Sequence, residues 1–141
     1  MTAPRDLYAA RVHRHLYFQS PPIWHIDLDE ALATAKSSGK RVFLQVGRID
    51  CGGSRALIEK VMAKEEIFEC VVEKFVCVAR DADSLDDREK ALVSKMRNTA
   101  RTPYCLFLAD DGALVLETAG GRPAAVFLND LVEAATKKVP V

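Results

Sequence analysis

Along the chain, short runs of apolar residues alternate with segments in which apolar residues recur every three or four positions. The five-residue runs at 42–46, 75–79 and 104–108 are typical of strands that are buried on both faces. Residues 113–116 form a further run, and residues 110–112, Asp-Asp-Gly, form a hairpin turn signal before it. The pattern therefore predicts four strands, the last two joined as a hairpin.

Between these strands, apolar residues at helical spacing predict helices. The first helix follows Asp27, which can cap it; Glu30 completes a capping-box pattern, and Gly39 is the expected stop. The apolar stripes of the successive helices are Leu28, Ala31, Leu32 and Ala35; Leu57, Ile58, Val61 and Met62; Ile67, Phe68, Val71 and Val72; Leu92, Val93 and Met96; and Phe127, Leu128, Leu131, Val132 and Ala135.

This order of elements predicts an α/β fold. Strands separated by helices imply parallel pairing, and the closing hairpin adds antiparallel strands, so we expect a three-layer sandwich with a mixed central sheet and helices on both faces. Pro21-Pro22 interrupts any preceding helix and marks a boundary. We therefore expect one domain at residues 23–141, preceded by an N-terminal extension at residues 1–22 that forms a short amphipathic surface helix.

Composition narrows the classes of function. The 141 residues fit one domain, and 20 basic and 20 acidic side chains are interspersed, so no strong field attracts nucleic acid or an anionic membrane. We find no run of apolar residues long enough for a membrane helix and no secretory signal pattern. The sequence therefore predicts a cytoplasmic protein that binds neither nucleic acid nor membrane.

The four cysteines point to one candidate site. A reducing compartment disfavours structural disulfides, and the cysteine spacings match no zinc pattern, so we expect neither a metal nor a cofactor. Cys70, Cys77 and Cys105 lie in apolar runs, where a free cysteine behaves as a small buried hydrophobe. Cys51 instead follows the first predicted strand in a polar loop, which makes it the candidate reactive residue.

Cys51 after the first strand and Thr102-Pro103 before the third give the chain an order of features that resembles the thioredoxin superfamily. The resemblance covers roughly residues 23–138 and is best to bacterial thioredoxin-like domains, through the Asp-Leu-x-x-Ala-Leu-x-x-Ala-Lys-x-x-Gly-Lys pattern at 27–40. It implies a thioredoxin-like sandwich with a cis-proline at Pro103. It also implies that Thr102 offers its backbone to an extended peptide.

This chain differs from the family pattern at the positions that carry the family's redox chemistry. The family's Cys-x-x-Cys motif is Cys51-Gly52-Gly53-Ser54 in this chain, a Cys-x-x-Ser loop. Asp50 stands where the family has an aromatic residue, and Gln45 stands where it has a buried acid that shuttles protons. We therefore expect no dithiol cycle on this loop.

A monothiol site is the first functional hypothesis. Cys51 is expected at a helix N-terminus, which lowers the pKa of a cysteine. Arg48 and Arg55 would add to this effect and Asp50 would oppose it, and the sequence alone does not give the sign of the sum. The Ser54 hydroxyl can donate a hydrogen bond to the sulfur, but it cannot attack a mixed disulfide. Cys51 would then bind a protein partner or glutathione, and a second thiol from elsewhere would release it.

The partner would lie in a groove between Cys51 and Pro103, which the backbones of Gly52, Gly53 and Thr102 leave open to close approach. Two other hypotheses remain. One is a redox-inactive binding or scaffold module that keeps this groove. The weaker one is a glutaredoxin-like glutathione or iron–sulfur carrier, suggested by the Cys-Gly-Gly-Ser loop. Cys105 lies two residues after Pro103. The sequence leaves open whether its thiol can resolve a mixed disulfide on Cys51.

Overall fold

The computed structural model describes residues 24–25, 27–48 and 50–139. Within these residues, a mixed sheet of five strands has the order β1-β3-β2-β4-β5. The strands β1 and β2 both pair with β3 in parallel, while β4 pairs antiparallel with β2 and with β5. The strands are β1 (Trp24–His25), β2 (Arg41–Gly47), β3 (Phe75–Asp81), β4 (Tyr104–Leu108) and β5 (Leu114–Ala119).

Helices cover both faces of the sheet, and their apolar stripes are the ones that the sequence predicts, except that Val132 of the last helix is exposed. A turn of π-helix at Leu57–Val61 continues the second helix, so residues 52–61 are helical throughout. The α-helices are α1 (Leu28–Ser38), α2 (Gly52–Ala56), α3 (Glu65–Lys74), α4 (Asp87–Ser94) and α5 (Ala124–Thr136).

Alternate residues of the buried strands divide between two cores. On one face, Phe43 stacks on Phe107 at 4.9 Å between ring centroids, and Phe75 and Phe127 complete an aromatic cluster under α3 and α5. On the other face, aliphatic strand residues pack against α1 and α4. The sheet is thus apolar on both sides, which explains why its central strands read as apolar runs. The three-layer α/β sandwich is confirmed.

Strand direction departs from the sequence prediction at β4. A helix lies between β3 and β4, and the expected result was a parallel strand, yet β4 runs antiparallel to β2. The register gives the reason: Asp81 at the end of β3 lies beside Gly47, and Tyr104 at the start of β4 lies beside Val46. The segment carrying α4 therefore leaves and re-enters the sheet at the same edge.

The helix caps agree with the sequence prediction except that the capping box forms at α4 and not at α1. The Asp27 carboxylate accepts hydrogen bonds from the backbone N–H groups of Asp29 and Glu30, and Gly39 ends α1 with a φ of 72°. The Glu30 carboxylate, however, lies 2.6 Å from Nδ1 of His25, so the expected capping box is wrong here. A reciprocal capping box forms instead at the start of α4, between Asp86 and Glu89. The predicted N-terminal helix at residues 1–22 lies outside the described residues.

Candidate functional site

The candidate site lies at the edge of the sheet where β2 ends and β4 begins. Gly47 ends β2, and Cys51 follows four residues later as the N-cap of α2. Because β4 is antiparallel to β2, Thr102 and Pro103 arrive at the same edge, next to the Cys51 loop. The sheet thus brings together two segments that are 51 residues apart in the sequence.

Cys51 contacts the Thr102–Pro103 step directly. Its Sγ donates a hydrogen bond to the backbone carbonyl oxygen of Thr102 at 3.3 Å, and the thiol is half-buried. The Thr102–Pro103 peptide bond is cis, and both residues are buried. Three of the four residues that the sequence places in this groove therefore lie together beside the sulfur: Gly53, Thr102 and Pro103.

The surroundings of the sulfur favour its thiolate. Partial burial raises the pKa of Cys51, but hydrogen bonds from the side chains of Ser54 and Thr102 and from the backbone N–H groups of Ser54 and Gly53 outweigh it. The net effect lowers the pKa of Cys51 to about 7. Near neutral pH a large fraction of Cys51 is therefore thiolate, the form that reacts with disulfides.

Ser54 is oriented by its own loop. It is fully buried, and its Oγ accepts a hydrogen bond from the backbone N–H of Arg48 at 3.3 Å. The backbone N–H of Cys51 in turn donates to the carbonyl of Arg48 at 3.1 Å. Since the Ser54 oxygen already accepts from Arg48, its proton is left to point toward the sulfur.

The positive charge of Arg48 is paired with Asp83 and not with the Cys51 thiolate, which the sequence suggested as its partner. Its guanidinium group binds the exposed carboxylate of Asp83, with Nη2 to Oδ1 at 3.1 Å and Nε 3.3 Å from both oxygens. Hydrogen bonding to Asp83 raises the pKa of Arg48, and no charge from Arg48 or Arg55 is among the causes that lower the pKa of Cys51. Hydrogen bonds, rather than arginine charges, therefore stabilise the Cys51 thiolate.

The two glycines of the loop differ in their surroundings. A Cβ added at Gly53 would lie 3.3 Å from the Thr102 carbonyl oxygen, 3.4 Å from Cδ of Pro103 and 3.8 Å from the Cys51 sulfur. A Cβ added at Gly52 would meet nothing within 4 Å. Only Gly53 is therefore held close to the Thr102–Pro103 step.

The positions behind the sulfur lack redox chemistry. Gln45 is fully buried in β2, where it pairs in register with Ala79 and Cys105. Cys105 is also buried, and burial raises its pKa to about 12. Burial also raises the pKa of Cys77. Neither Cys105 nor Cys77 is therefore suited to attack a disulfide on Cys51 in the folded protein.

The described part of the chain offers no metal centre. No group of three or more histidine, cysteine, aspartate or glutamate side chains in residues 24–25, 27–48 and 50–139 is arranged to hold a metal ion. Across the same residues, every helix is too short or too polar to cross a lipid bilayer.

Comparison with known proteins agrees with this geometry. A family model described as a thioredoxin-like domain matches residues 28–135. A thioredoxin from Thermus thermophilus is 24% identical with a TM-score of 0.65, covering 80% of this chain and 86% of that one. A putative disulphide-isomerase from Bacteroides thetaiotaomicron is 19% identical with a TM-score of 0.67, covering 82% and 93%. At this level of identity, both structures show a shared fold.

One curated relative matches at the sequence level. Spermatogenesis-associated protein 20 of Mus musculus is 30% identical over 87 residues, which are 62% of this chain. The match spans 11% of that protein's length. The likeness therefore concerns one segment of a much longer protein.

Proposed function

Because the chain belongs to the thioredoxin-like domain family, we propose that it acts as a monothiol protein whose Cys51 forms mixed disulfides with a protein partner. The Cys51 thiolate attacks one sulfur of a partner disulfide. A new bond forms between Cys51 and that sulfur, the partner's own S–S bond breaks, and the second partner sulfur leaves as a thiolate. A thiol from a separate molecule then attacks the mixed disulfide and restores Cys51.

The hydrogen bonds that converge on the Cys51 sulfur are the observation that carries this proposal. They come from the side chains and backbone of α2 and from Thr102, and they lower the pKa of Cys51 to about 7. The best attacking thiol has a pKa near the ambient pH, since a lower value reduces its intrinsic nucleophilicity.

Release must come from outside the domain. Ser54 stabilises the thiolate but has no sulfur with which to break a mixed disulfide. Cys105 is buried with a pKa of about 12, so it does not supply the second thiol. We therefore expect stoichiometric capture of partners and no turnover in the absence of an added thiol.

The partner is proposed to lie as an extended segment along Thr102, with its target sulfur above Gly52 and Gly53. In the thiol form the Thr102 carbonyl accepts the proton of Cys51. Deprotonation frees this carbonyl to accept a hydrogen bond from the partner's backbone, as in recognition by strand addition. Glutathione, a peptide with a single thiol, is the smaller alternative partner.

Trapping of a mixed disulfide tests the proposal. In a Cys70→Ser background, which removes the other partly exposed cysteine of the described residues, we expect a peptide disulfide and oxidised glutathione each to add one thiol adduct by intact mass. The adduct should be absent from Cys51→Ser. The same protein should reduce the disulfides of insulin no faster than a buffer control. Repeated turnover would contradict a monothiol.

A binding module is the second candidate. Gln45 in place of a buried acid and Asp50 beside the cysteine favour it, because both remove features that serve a redox cycle. This function would need the groove at Pro103 but not the sulfur. Partner binding that keeps its full affinity in Cys51→Ala would support this candidate and contradict the monothiol proposal.

A further inference from the structure

The strand β5 forms one edge of the sheet, and among the described residues only β4 pairs with it. The backbone N–H of Gly120, just past β5, donates to the carbonyl of Pro103 at 3.0 Å. Hydrogen-bonded and non-hydrogen-bonded pairs alternate along an antiparallel ladder, so the backbone groups of Thr118 also point toward β4. The backbone N–H and C=O groups of Glu117 and Ala119 therefore point away from the sheet.

The sequence of β5 does not block pairing with a further strand. Exposed edges are commonly protected by proline, lysine or a bulge. The strand reads Leu-Val-Leu-Glu-Thr-Ala, and the carboxylate of its single charged residue, Glu117, accepts a hydrogen bond from the backbone N–H of Arg97. The register shift between Phe107 and Leu108 disturbs only the beginning of the strand. The last four residues of β5 therefore present a regular edge on which another strand can pair.

A groove of about 600 Å³ runs along this edge. Its floor is β5 itself, and the residues that follow α4 form one wall. Asp130, Glu133 and Lys137 line the opposite wall, which belongs to α5. They share one face of this helix with the exposed Val126, because positions three and four apart lie together. The groove thus combines open backbone groups with a charged wall.

The formal charges that line the groove cancel. They are three basic and three acidic side chains: Arg97, Arg122, Lys137, Glu117, Asp130 and Glu133. The start of β2 lies at the same end of the sheet as the start of β5, and there Arg41 donates to the carbonyl of Ala134 in α5. Because α5 therefore runs antiparallel to β5, Glu133 and Lys137 lie beside the beginning of β5, and Arg122 lies beside its end.

We infer that the β5 edge binds a second copy of this chain, so that two antiparallel β5 strands join two five-stranded sheets into one sheet of ten strands. A two-fold axis through β5 places the Arg122 end of each groove opposite the end of the other groove that carries Glu133 and Lys137. A second copy therefore supplies the same balanced charges in the opposite order. A partner with a large net charge of either sign gains no attraction from a groove of zero net charge. This inference goes beyond the proposed function and does not depend on the reactivity of Cys51.

The size of this interface predicts a weak dimer. Twelve residues of each copy line the groove. A standard protein–protein interface has roughly 20–30 residues on each side. We therefore expect monomers at about 1 μM and mostly dimers at about 500 μM, which corresponds to a micromolar dissociation constant.

Sedimentation velocity of the full chain in reducing buffer tests the inference, because the reductant removes any disulfide-linked dimer. Glu133→Lys and Lys137→Glu give each groove a net charge of +2 and −2, respectively, since the parent groove has three charges of each sign. Each variant alone should self-associate at least about tenfold more weakly at low salt. An equimolar mixture of the two should associate more tightly than either variant alone. Glu69→Lys is the control, because it makes the same charge change at an exposed residue of α3 outside the groove.

Amide hydrogen exchange locates the interface on the edge strand. The N–H groups of Glu117 and Ala119 should exchange more slowly at the dimer concentration than at the monomer concentration. The N–H group of Thr118 is the internal reference, because it points toward β4 in both states.

Four outcomes would overturn the inference. A monomer at every concentration would leave the edge to a strand of another protein. A dimer that neither charge variant weakens, or one in which exchange at Glu117 and Ala119 is unchanged, would use another surface. A loss in Glu69→Lys equal to that in Glu133→Lys would reflect total charge and not the groove. A thermal unfolding curve confirms that each variant is folded, and recovery of the dimer in the mixture excludes a folding defect.

Discussion

Ser54 retains the hydrogen-bonding part of a second cysteine's role without the nucleophilic part. Its oxygen accepts the backbone N–H of Arg48, and its side chain and N–H group both lower the pKa of Cys51. A serine hydroxyl is both donor and acceptor, so one residue can hold the loop and stabilise the thiolate together. Ser54 thus stabilises the Cys51 thiolate without supplying a second thiol.

Removal of the Ser54 hydroxyl should raise the pKa of Cys51. Ser54→Ala deletes the first of the hydrogen bonds that lower this pKa, so the thiolate fraction and the alkylation rate at neutral pH should both fall. The measurement is the pH dependence of iodoacetamide labelling. Ser94→Ala is the control, because the Ser94 hydroxyl donates to the Ala91 carbonyl of its own helix and lies outside the site. An unchanged Cys51 pKa in Ser54→Ala would remove Ser54 from this role.

Restoration of a second sulfur should create dithiol activity. Ser54→Cys places a thiol at a buried position in the first turn after Cys51, within reach of a mixed disulfide. We expect measurable insulin reduction with dithiothreitol where the parent protein shows none. Gln45 replaces the proton-shuttling acid, so the rate should remain below that of an ordinary thioredoxin. No gain over the parent would show that the loop geometry is incompatible with a disulfide.

The sequence predicted which residues meet at the candidate site better than it predicted the electrostatics of that site. Cys51, Ser54 and the Thr102–Pro103 step stand at fixed places relative to the strands, so their order in the chain indicates that they meet. No feature of the sequence indicated that Arg48 would pair with Asp83. Asp83 is 35 residues away in another loop, and only the parallel pairing of β2 with β3 brings the two together.

Among the elements, the loop between β3 and α4 supports the Cys51 loop from one side. The Arg48 side chain donates a hydrogen bond to Asp83 in this loop, and the backbone N–H of Ala82 donates to the carbonyl of Gly47. Behind it, Arg80 binds the buried carboxylate of Glu89 at 3.0 Å and the Ser84 carbonyl. The acidic stretch at residues 81–87 is therefore an ordered support of the site.

The buried pair in this support should matter far more than the exposed one. Glu89 is 1% exposed, and burial raises its pKa even though Arg80 and the Asp86 N–H oppose the shift. Glu89→Gln removes the negative member of a buried pair and should lower the free energy of unfolding by about 3 kcal/mol. Asp83→Asn breaks only the exposed pair with Arg48 and should cost about 0.5 kcal/mol. Urea unfolding measures both, and equal losses would contradict the assigned burial.

For the whole molecule, the thiolate links stability to pH. The pKa of Cys51 is about 7 in the folded protein, below the value of about 8.5 for a free cysteine in the unfolded chain. A depressed pKa contributes stability that is complete above the unfolded value and is lost as the pH falls through the folded value. The urea midpoint of the parent relative to Cys51→Ala should therefore rise between about pH 7 and pH 8.5. A constant difference would contradict the lowered pKa.

The architecture was predictable at this scale because strands that are buried on both faces of a sheet appear in the sequence as runs of consecutive apolar residues. Three apolar runs with amphipathic helices between them admit few arrangements, and the observed sandwich is the expected one. The direction of β4 was not predictable in the same way. It depends on which edge of the sheet the chain re-enters, and the apolar pattern of residues 104–108 is the same for either direction.

The central claim is that Cys51 is a reactive thiolate near neutral pH, and its labelling rate as a function of pH tests this most directly. In the Cys70→Ser background, we predict a single titration with a midpoint near pH 7, and a rate at neutral pH well above that of a free cysteine peptide. A midpoint at or above about 8.5, with labelling no faster than the free peptide, would contradict the account.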